Sequence, residues 1–381
     1  MRRNKNLGIY IHVPFCKSKC YYCDFNSYTN KNELICDYFA SLKKEALLYL
    51  KKLNSYDIGS VFIGGGTPSI VDANYIEDIM DFLKKNIIFS KEVEITIEAN
   101  PESLSYTKLN LYKKSGINRI SIGLQAWQDT LLKRIGRIHT KDKFIESFNM
   151  AKEVLTDNIN VDLMFGIPGQ SMEDWLETVT EVADLEPKHI SCYSLKFEEG
   201  TDMHTNLSKG KITPIDEELD REMYYKATEI LKQRGFNRYE ISNFAIGQYE
   251  SRHNILYWKT GEYIGFGAGA HSYFEGKRFN NKYNLEEYIQ DIEMLAHTVQ
   301  NVEKINLRGR ISEFMILGLR LTEGISNFEF KDRFKKDMFS LFGSKIDNLV
   351  GKGLLYKENE RIRLTTRGFD LANQVFLEFI L

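Results

Sequence analysis

No stretch of this 381-residue sequence is apolar for the roughly 18 residues that a membrane-spanning helix needs. The first apolar run, at 7–13, is interrupted by His12 and ended by Pro14, which also makes it too short for the core of a secretory signal. There is no excess of charge of one sign, since 51 Lys+Arg face 53 Asp+Glu for a formal net charge of −2. That balance removes the general electrostatic argument for a nucleic-acid or anionic-membrane partner. Cysteine is scarce and odd in number: there are five, three of them within eight residues. Such usage speaks against a disulfide framework and for a metal or catalytic site in a reducing, cytosolic setting. There is no internal repeat and no low-complexity linker. What remains is ordinary globular composition, 43% hydrophobic and 27% charged, which excludes wholesale disorder and collagen. At roughly 150 residues per domain, the length predicts two or three units, or one large barrel with an appendage.

Short runs rich in Val, Ile, Phe and Tyr, bounded by Gly, Pro, Asn or Ser, predict strands at 8–13, 60–63, 93–98, 119–122, 160–165 and 190–195. Helical periodicity fills the gaps, at 33–53, 72–86, 103–115, 141–156, 171–185 and 216–234. In the last of these, Leu219, Met223, Ala227, Ile230 and Leu231 share a face, and Gly235 closes it. Six successive βα units argue for an α/β fold with a parallel sheet and right-handed crossovers. An open or partial barrel and a doubly wound sheet both satisfy that pattern. Residues 236–280, rich in Gly, Tyr, Phe, Asn and His, are expected as strands and loops covering the first unit. From about Val302, three helical stretches and two short strands around a polar Lys-Glu-Asn-Glu-Arg turn lay out a winged-helix-like module. The expected units are therefore 1–235, 236–300 and 301–381. The last carries 14 Lys+Arg against 11 Asp+Glu with no basic helix, so a structural or docking role is expected and no nucleic-acid partner.

The strongest chemical signal is the CxxxCxxC loop directly after the first strand, formed by Cys16, Cys20 and Cys23. Thiolates suit iron–sulfur clusters and zinc. A structural zinc site wants a fourth ligand, yet Cys36 and Cys192 stand alone and read as core thiols. A cubane cluster ordinarily takes four thiolates, so three leave one iron open. Further polar residues follow successive strands: Gly65, Gly66 and Thr67 in GGGTP, Glu98 in EANP, Gln125 in SIGLQ, Arg137 in GRIHT and Asp162 in VDLMFGIPGQ. The C-terminal ends of barrel strands are where such folds place their sites. Singly, each is an ordinary surface residue. Together they predict a polar ring around one ligand.

These motifs resemble the radical S-adenosylmethionine superfamily. The resemblance implies a partial (β/α)6 TIM-like barrel, a 4Fe–4S cluster on Cys16, Cys20 and Cys23, and S-adenosylmethionine on the open iron. It places the cofactor against Tyr10, Gly65, Gly66, Thr67, Glu98, Gln125, Arg137 and Asp162, with backbone near Tyr22. The segment Tyr10-Ile-His-Val-Pro-Phe-Cys16, with EANP, GLQ, GRIHT and DLMFGIPGQ, resembles the coproporphyrinogen-oxidase-like branch over nearly the whole chain. The oxygen-independent oxidases of that branch carry a further Cys where this chain has Phe25, and an extension before the motif, which here begins by residue 10. Both departures are similar to the sister group, the HemW-type haem chaperones, as is the HNxxYW motif at His253, Asn254, Tyr257 and Trp258. The resemblance then implies haem as cargo, delivered in the cytoplasm to apo-haemoproteins, including ones at a membrane surface, with no catalytic residue assigned. It makes His253 the candidate haem contact, with His271 in a Gly-rich loop as the competitor. Judged on the residues alone, a buried histidine joining two loops is the better reading of His253. The competing functions are radical decarboxylation of coproporphyrinogen III and a plain electron-transfer or zinc-binding module.

Overall fold

The computed structural model describes residues 6–294 and 299–381. Six parallel strands form the frame: β1 (Asn6–Val13), β2 (Asp57–Gly65), β3 (Phe89–Ala99), β4 (Arg119–Gln125), β5 (Ile159–Phe165) and β6 (His189–Ser194). Side chains alternate along each strand. On β1, Ile9, Ile11 and Val13 are at most 1% exposed and pack outward, while Tyr10 and His12 take the opposite face. The same alternation puts Val61, Ile63, Ile97, Ile122, Val161 and Ile190 into one apolar core under the helices. It leaves Glu94, Glu98, Arg119, Ser121, Asn160, Asp162 and His189 on the concave inner face. The sheet is thus apolar outside and polar inside, which curls it around a polar interior.

The covering helices are α1 (Ile35–Leu53), α2 (Ala73–Asn86), α3 (Tyr106–Lys114), α4 (Asp129–Arg134), α5 (Lys141–Val154), α6 (Met172–Asp184), α7 (Asp202–Ser208) and α8 (Glu217–Gln233). Most start at a side-chain cap: Asp72 for α2, Ser105 for α3, Thr140 for α5, Thr201 for α7 and Asp216 for α8. Ser171 and Asp174 form a reciprocal capping box on α6. Each cap satisfies backbone N–H groups that the first turn leaves without partners. The expected barrel is what forms, and the doubly wound alternative is not, because the strands run in sequence order β1 to β6 without reversal.

The segment expected as strands and loops over the first unit extends its sheet. Its strands β7 (Asn237–Arg238) and β8 (Asn243–Ala245) continue the sheet antiparallel beyond β6. Its strand β9 (Tyr263–Phe266) joins β1 in parallel, with β10 (His271–Phe274), β11 (Lys277–Asn281) and β12 (Val299–Lys304) following outward. The twelve-stranded sheet therefore gains strands at both edges. Between them the HNxxYW motif forms a seven-residue helix, α9 (Arg252–Trp258), capped by Ser251. Two turns are too short to show a helical period, which is why the sequence does not announce it. Helix α10 (Leu285–Glu293) packs beside α1.

The C-terminal unit has its own core around Phe314, Phe330, Phe334, Phe342 and Leu349. It comprises α11 (Leu307–Gly318), β13 (Ile325–Ser326), α12 (Asn327–Phe334), α13 (Met338–Gly351), β14 (Leu355–Glu358) and β15 (Arg361–Leu364). The strands order as β13-β15-β14, the expected winged-helix layout. Helices α14 (Thr366–Asp370) and α15 (Ala372–Leu377) follow. Thr322 N donates to Tyr239 O at 2.9 Å, and Tyr225 donates to Asp370, which ties this unit to the barrel. No helix among the described residues is long and apolar enough to cross a membrane.

Candidate functional site

The cysteine loop leaves β1 at Pro14 and is pinned at both ends. Tyr28 N donates to Pro14 O at 2.7 Å and Cys16 N donates to Tyr28 O at 2.9 Å. In mid-loop, Tyr21 N donates to Ile135 O at 3.1 Å, and Tyr21 O accepts from Met203 N at 2.8 Å. The loop is thereby laid over the C-terminal mouth of the barrel. Cys16 is buried, and Cys20 and Cys23 are half-buried. Burial raises the Cys16 thiol and pushes Cys23 up to about 11. The three do not converge on a point: among the described residues no group of three His, Cys, Asp or Glu side chains is set to hold a single ion. They instead line one pocket of about 330 Å³ together with Tyr22, Gly65, Gly66, Thr67, Glu98, Gln125, Arg137 and Asp162. A multi-iron cluster takes each thiolate on a different iron, so thiols spread around a cavity suit it better than a single zinc.

Each member of the ring is placed by local structure. Gly65, at the end of β2, has φ +119°, a conformation side-chain-bearing residues rarely adopt, and its N–H donates to Glu98 Oε2 at 3.1 Å. A Cβ at Gly66 would stand 2.8 Å from Phe15 O and 2.9 Å from Cys16 Sγ, so only glycine lets this backbone lie against the cysteine loop. Thr67 Oγ1 lies 3.6 Å from Cys16 Sγ and accepts from Asn100 Nδ2 at 3.2 Å. Arg137 donates to Asn100 Oδ1 at 2.7 Å and reaches Cys20 Sγ at 3.6 Å, while its buried Nε has no partner. Asp162 accepts from Ser121 Oγ and from Asn160 Nδ2, both at 2.8 Å. Gln125 holds φ 75°, a left-handed backbone uncommon for a non-glycine residue and typical of strained functional positions. Burial, reinforced by the nearby Asp162, pushes Glu98 up to about 8. Glu98 is thus protonated at neutral pH until a cation arrives. A backbone cradle, two carboxylates, one arginine with a spare donor and three thiols can hold a zwitterionic, cationic ligand beside a cluster.

Two expected contacts do not line this pocket. Tyr10 is not among the residues lining the pocket. It is in register with Phe62, one layer below Glu98, and its hydroxyl meets His12 Nδ1 at 2.9 Å. His253 is 1% exposed, and both ring nitrogens are taken: Nδ1 by Ser60 Oγ at 2.8 Å and Nε2 by Tyr257 OH at 2.7 Å. Burial and Arg119 lower it to about 3, so it is a neutral ring with no free lone pair. Its role here is the structural one: α9 closes the floor of the barrel, with the Glu94 carboxylate accepting from Arg252 N at 3.1 Å and His253 N at 3.2 Å. His253 is therefore a floor residue with both ring nitrogens engaged, and it does not line the thiol pocket. His271 is exposed on β10, 3.1 Å from Tyr283 OH. Cys192 is buried in the core, whereas Cys36 is exposed. Asn100, Ser121 and Tyr193 also line the pocket, and none of them carries a chemical signature in the sequence. Asn100 stands inside the EANP segment, two residues after Glu98, and that placement is its one sequence signal.

Residues 10–182 match the Radical SAM superfamily, and residues 305–371 match the HemN C-terminal domain. The chain is 36% identical to the Bacillus subtilis protein named heme chaperone HemW over 372 residues, covering 97% of this chain and 98% of the relative. It is 36% identical to the protein of that name from Lactococcus lactis, covering 98% and 97%. Among solved structures, the Escherichia coli coproporphyrinogen III oxidase HemN, described as a radical SAM enzyme, superimposes with a TM-score of 0.86 over 100% of this chain and 91% of its own, at 20% identity. That last likeness shows the fold. From the thiol loop at the barrel mouth, the polar ring beneath it and relatives aligned over their full length, the chain belongs to the HemW family of haem chaperones within the radical SAM superfamily.

Proposed function

We propose that this protein carries a 4Fe–4S cluster and S-adenosylmethionine at the barrel mouth, binds haem as cargo and hands it to apo-haemoproteins in the cytoplasm, including ones at a membrane surface. The observation that carries the reading is the convergence of three thiols, Glu98, Asp162 and Arg137 on one pocket. Cys16, Cys20 and Cys23 would ligate the cluster, releasing protons because the buried thiols must ionise to bind. Gly65, Gly66 and Thr67 offer a close-approach backbone, Glu98 and Asp162 accept from cationic groups, and Arg137 and Gln125 donate. The cluster and cofactor, when bound, supply one-electron chemistry. Haem as cargo is supported by the name of the relatives. Phe25, 60% exposed on the pocket rim, stands where the related oxidases carry their additional cysteine, and this favours a chaperone over a decarboxylase.

The test is one anaerobically reconstituted sample assayed three ways: iron and sulfide content, haem transfer to an apo-haemoprotein, and conversion of coproporphyrinogen III. The expected result is a cluster, transfer of haem and no decarboxylation. Turnover of coproporphyrinogen would replace the chaperone reading with the oxidase one, and stoichiometric zinc without iron would remove both.

A further inference from the structure

The largest cavity described, about 970 Å³, is not the cofactor pocket. It lies around the C-terminal end of β6, between the start of α8, the β7–β8 turn, the end of α9 and the last helices of the C-terminal unit. Its volume is at the upper end of the about 300–1,000 Å³ that small-molecule sites occupy. Three buried polar atoms of its wall residues have no hydrogen-bond partner: Asn243 Oδ1, Trp258 Nε1 and Arg320 Nε. Asn243 is 3% exposed. Buried polar groups are nearly always partnered, so this wall is not fully satisfied from within.

The wall chemistry narrows that ligand. Tyr193, Tyr224, Trp258 and Phe369 give it aromatic faces. Among the described residues, none of its cations, Lys196, Arg221 and Arg320, has an ion-pair partner. Arg320 instead stacks on Trp258, 4.4 Å from the ring centroid. The acids of the wall are mostly engaged: Asp220 by Ser194 Oγ, Glu240 by Ser242 N and Asn243 Nδ2, and Asp370 by Tyr225. Glu217 stands at the exposed rim. Aromatic walls with spare guanidinium groups fit a flat apolar body that carries carboxylates at its edge.

We infer that this cavity is the haem site, with the macrocycle against Trp258 and Phe369 and its propionates at Arg320 and Arg221. The inference rests on the haem-chaperone reading above and gives that reading a location. No histidine lines the cavity, so haem held here has no imidazole on its iron. Tyr193 lines this cavity and the cofactor pocket alike, so cargo and cofactor face each other across one ring.

The experiment is a haem titration of the reconstituted full chain, followed at the Soret band, with haem dimethyl ester as the second probe. Arg320→Met and Arg221→Ala should each weaken haem about ten- to a hundredfold, the loss of one charge-assisted contact, and the ester, which loses both, should bind the wild type more weakly than either variant binds haem. Neither variant should weaken the ester further. Arg221 is exposed, so its removal does not endanger folding, and the Arg320 variant is checked by retention of the cluster absorbance. His271→Ala should leave haem affinity and spectrum unchanged. Wild-type protein that binds no haem would overturn the chaperone reading and this site with it. Haem bound equally by the wild type, Arg320→Met and Arg221→Ala, or weakened by His271→Ala, would overturn this site alone.

Discussion

The mouth and the floor of one barrel are built from similar residues and do different things. Both place charged or polar groups on the concave face of the same six strands. At the floor those groups mostly satisfy one another, with Thr96 Oγ1 and Arg119 Nε as the exceptions. His253 bonds Ser60 and Tyr257, His189 bonds Asn160 at 2.6 Å and Tyr239 at 2.8 Å, and Glu94 caps α9. At the mouth they do not. Burial and Asp162 push Glu98 up to about 8, and three thiols stay unpaired around one pocket. A polar interior that closes on itself is architecture, whereas one left open is a site. Residue type alone does not separate the two, since a motif rich in histidine and aromatics lies at the floor and a plain Gly-Gly-Gly-Thr-Pro lies at the mouth.

Breaking the mouth at its thiols should give the largest effect. Cys16→Ala, Cys20→Ala and Cys23→Ala should each abolish the visible absorbance of the reconstituted cluster, while Cys36→Ala and Cys192→Ala retain it. Iron and sulfide analysis checks the outcome. Removing a carboxylate from the ring comes next. Asp162→Ala or Glu98→Gln should weaken S-adenosylmethionine about ten- to a hundredfold with the cluster kept, the loss of one charged, buried hydrogen bond. The pH dependence has a definite sign. The ionised carboxylate is the form that accepts a cation, so wild-type affinity should rise as pH climbs through about 8, and Glu98→Gln should flatten that rise. Calorimetric titration across that range reads both.

Breaking the floor should cost stability and leave ligands alone. His253→Ala strands Ser60 Oγ and Tyr257 OH, at a cost of about 2–4 kcal/mol from two buried hydrogen bonds and a cavity. Ser60→Ala removes one of those bonds and should cost about 1 kcal/mol. Thermal denaturation ranks the two, and an unchanged midpoint in His253→Ala would remove the structural role given to it.

The sequence made the frame legible because a barrel strand is a short β-branched run ended by Gly, Pro or Asn. All six runs predicted from β1 to β6 fall within a residue or a few of the observed strands. Glu98, Gln125, Arg137 and Asp162 were readable as a ring because strand ends in such a fold point one way. What was not readable depends on long-range packing. Helix α9 is too short for a periodic signal, and nothing local says that His253 turns inward onto Ser60, 193 residues away. The left-handed backbone at Gln125 belongs to a residue with no turn-forming bias. Asn100 became visible only when Arg137 and Thr67 were seen to share it.

The contrast itself is tested by measuring thermal midpoint and S-adenosylmethionine affinity side by side for Glu98→Gln and His253→Ala at about pH 9. Burial raises the native Glu98 from its ordinary 4.5 to about 8. Its stabilising contribution is therefore present at low pH and lost as pH rises through 8. Above that pH the buried charge is a liability in the absence of ligand, so Glu98→Gln should raise the midpoint of the cofactor-free protein while weakening the cofactor. His253→Ala should do the reverse, lowering the midpoint with affinity intact. A Glu98→Gln protein with unchanged affinity, or a His253→Ala protein that folds as well as wild type but no longer binds the cofactor, would contradict the account.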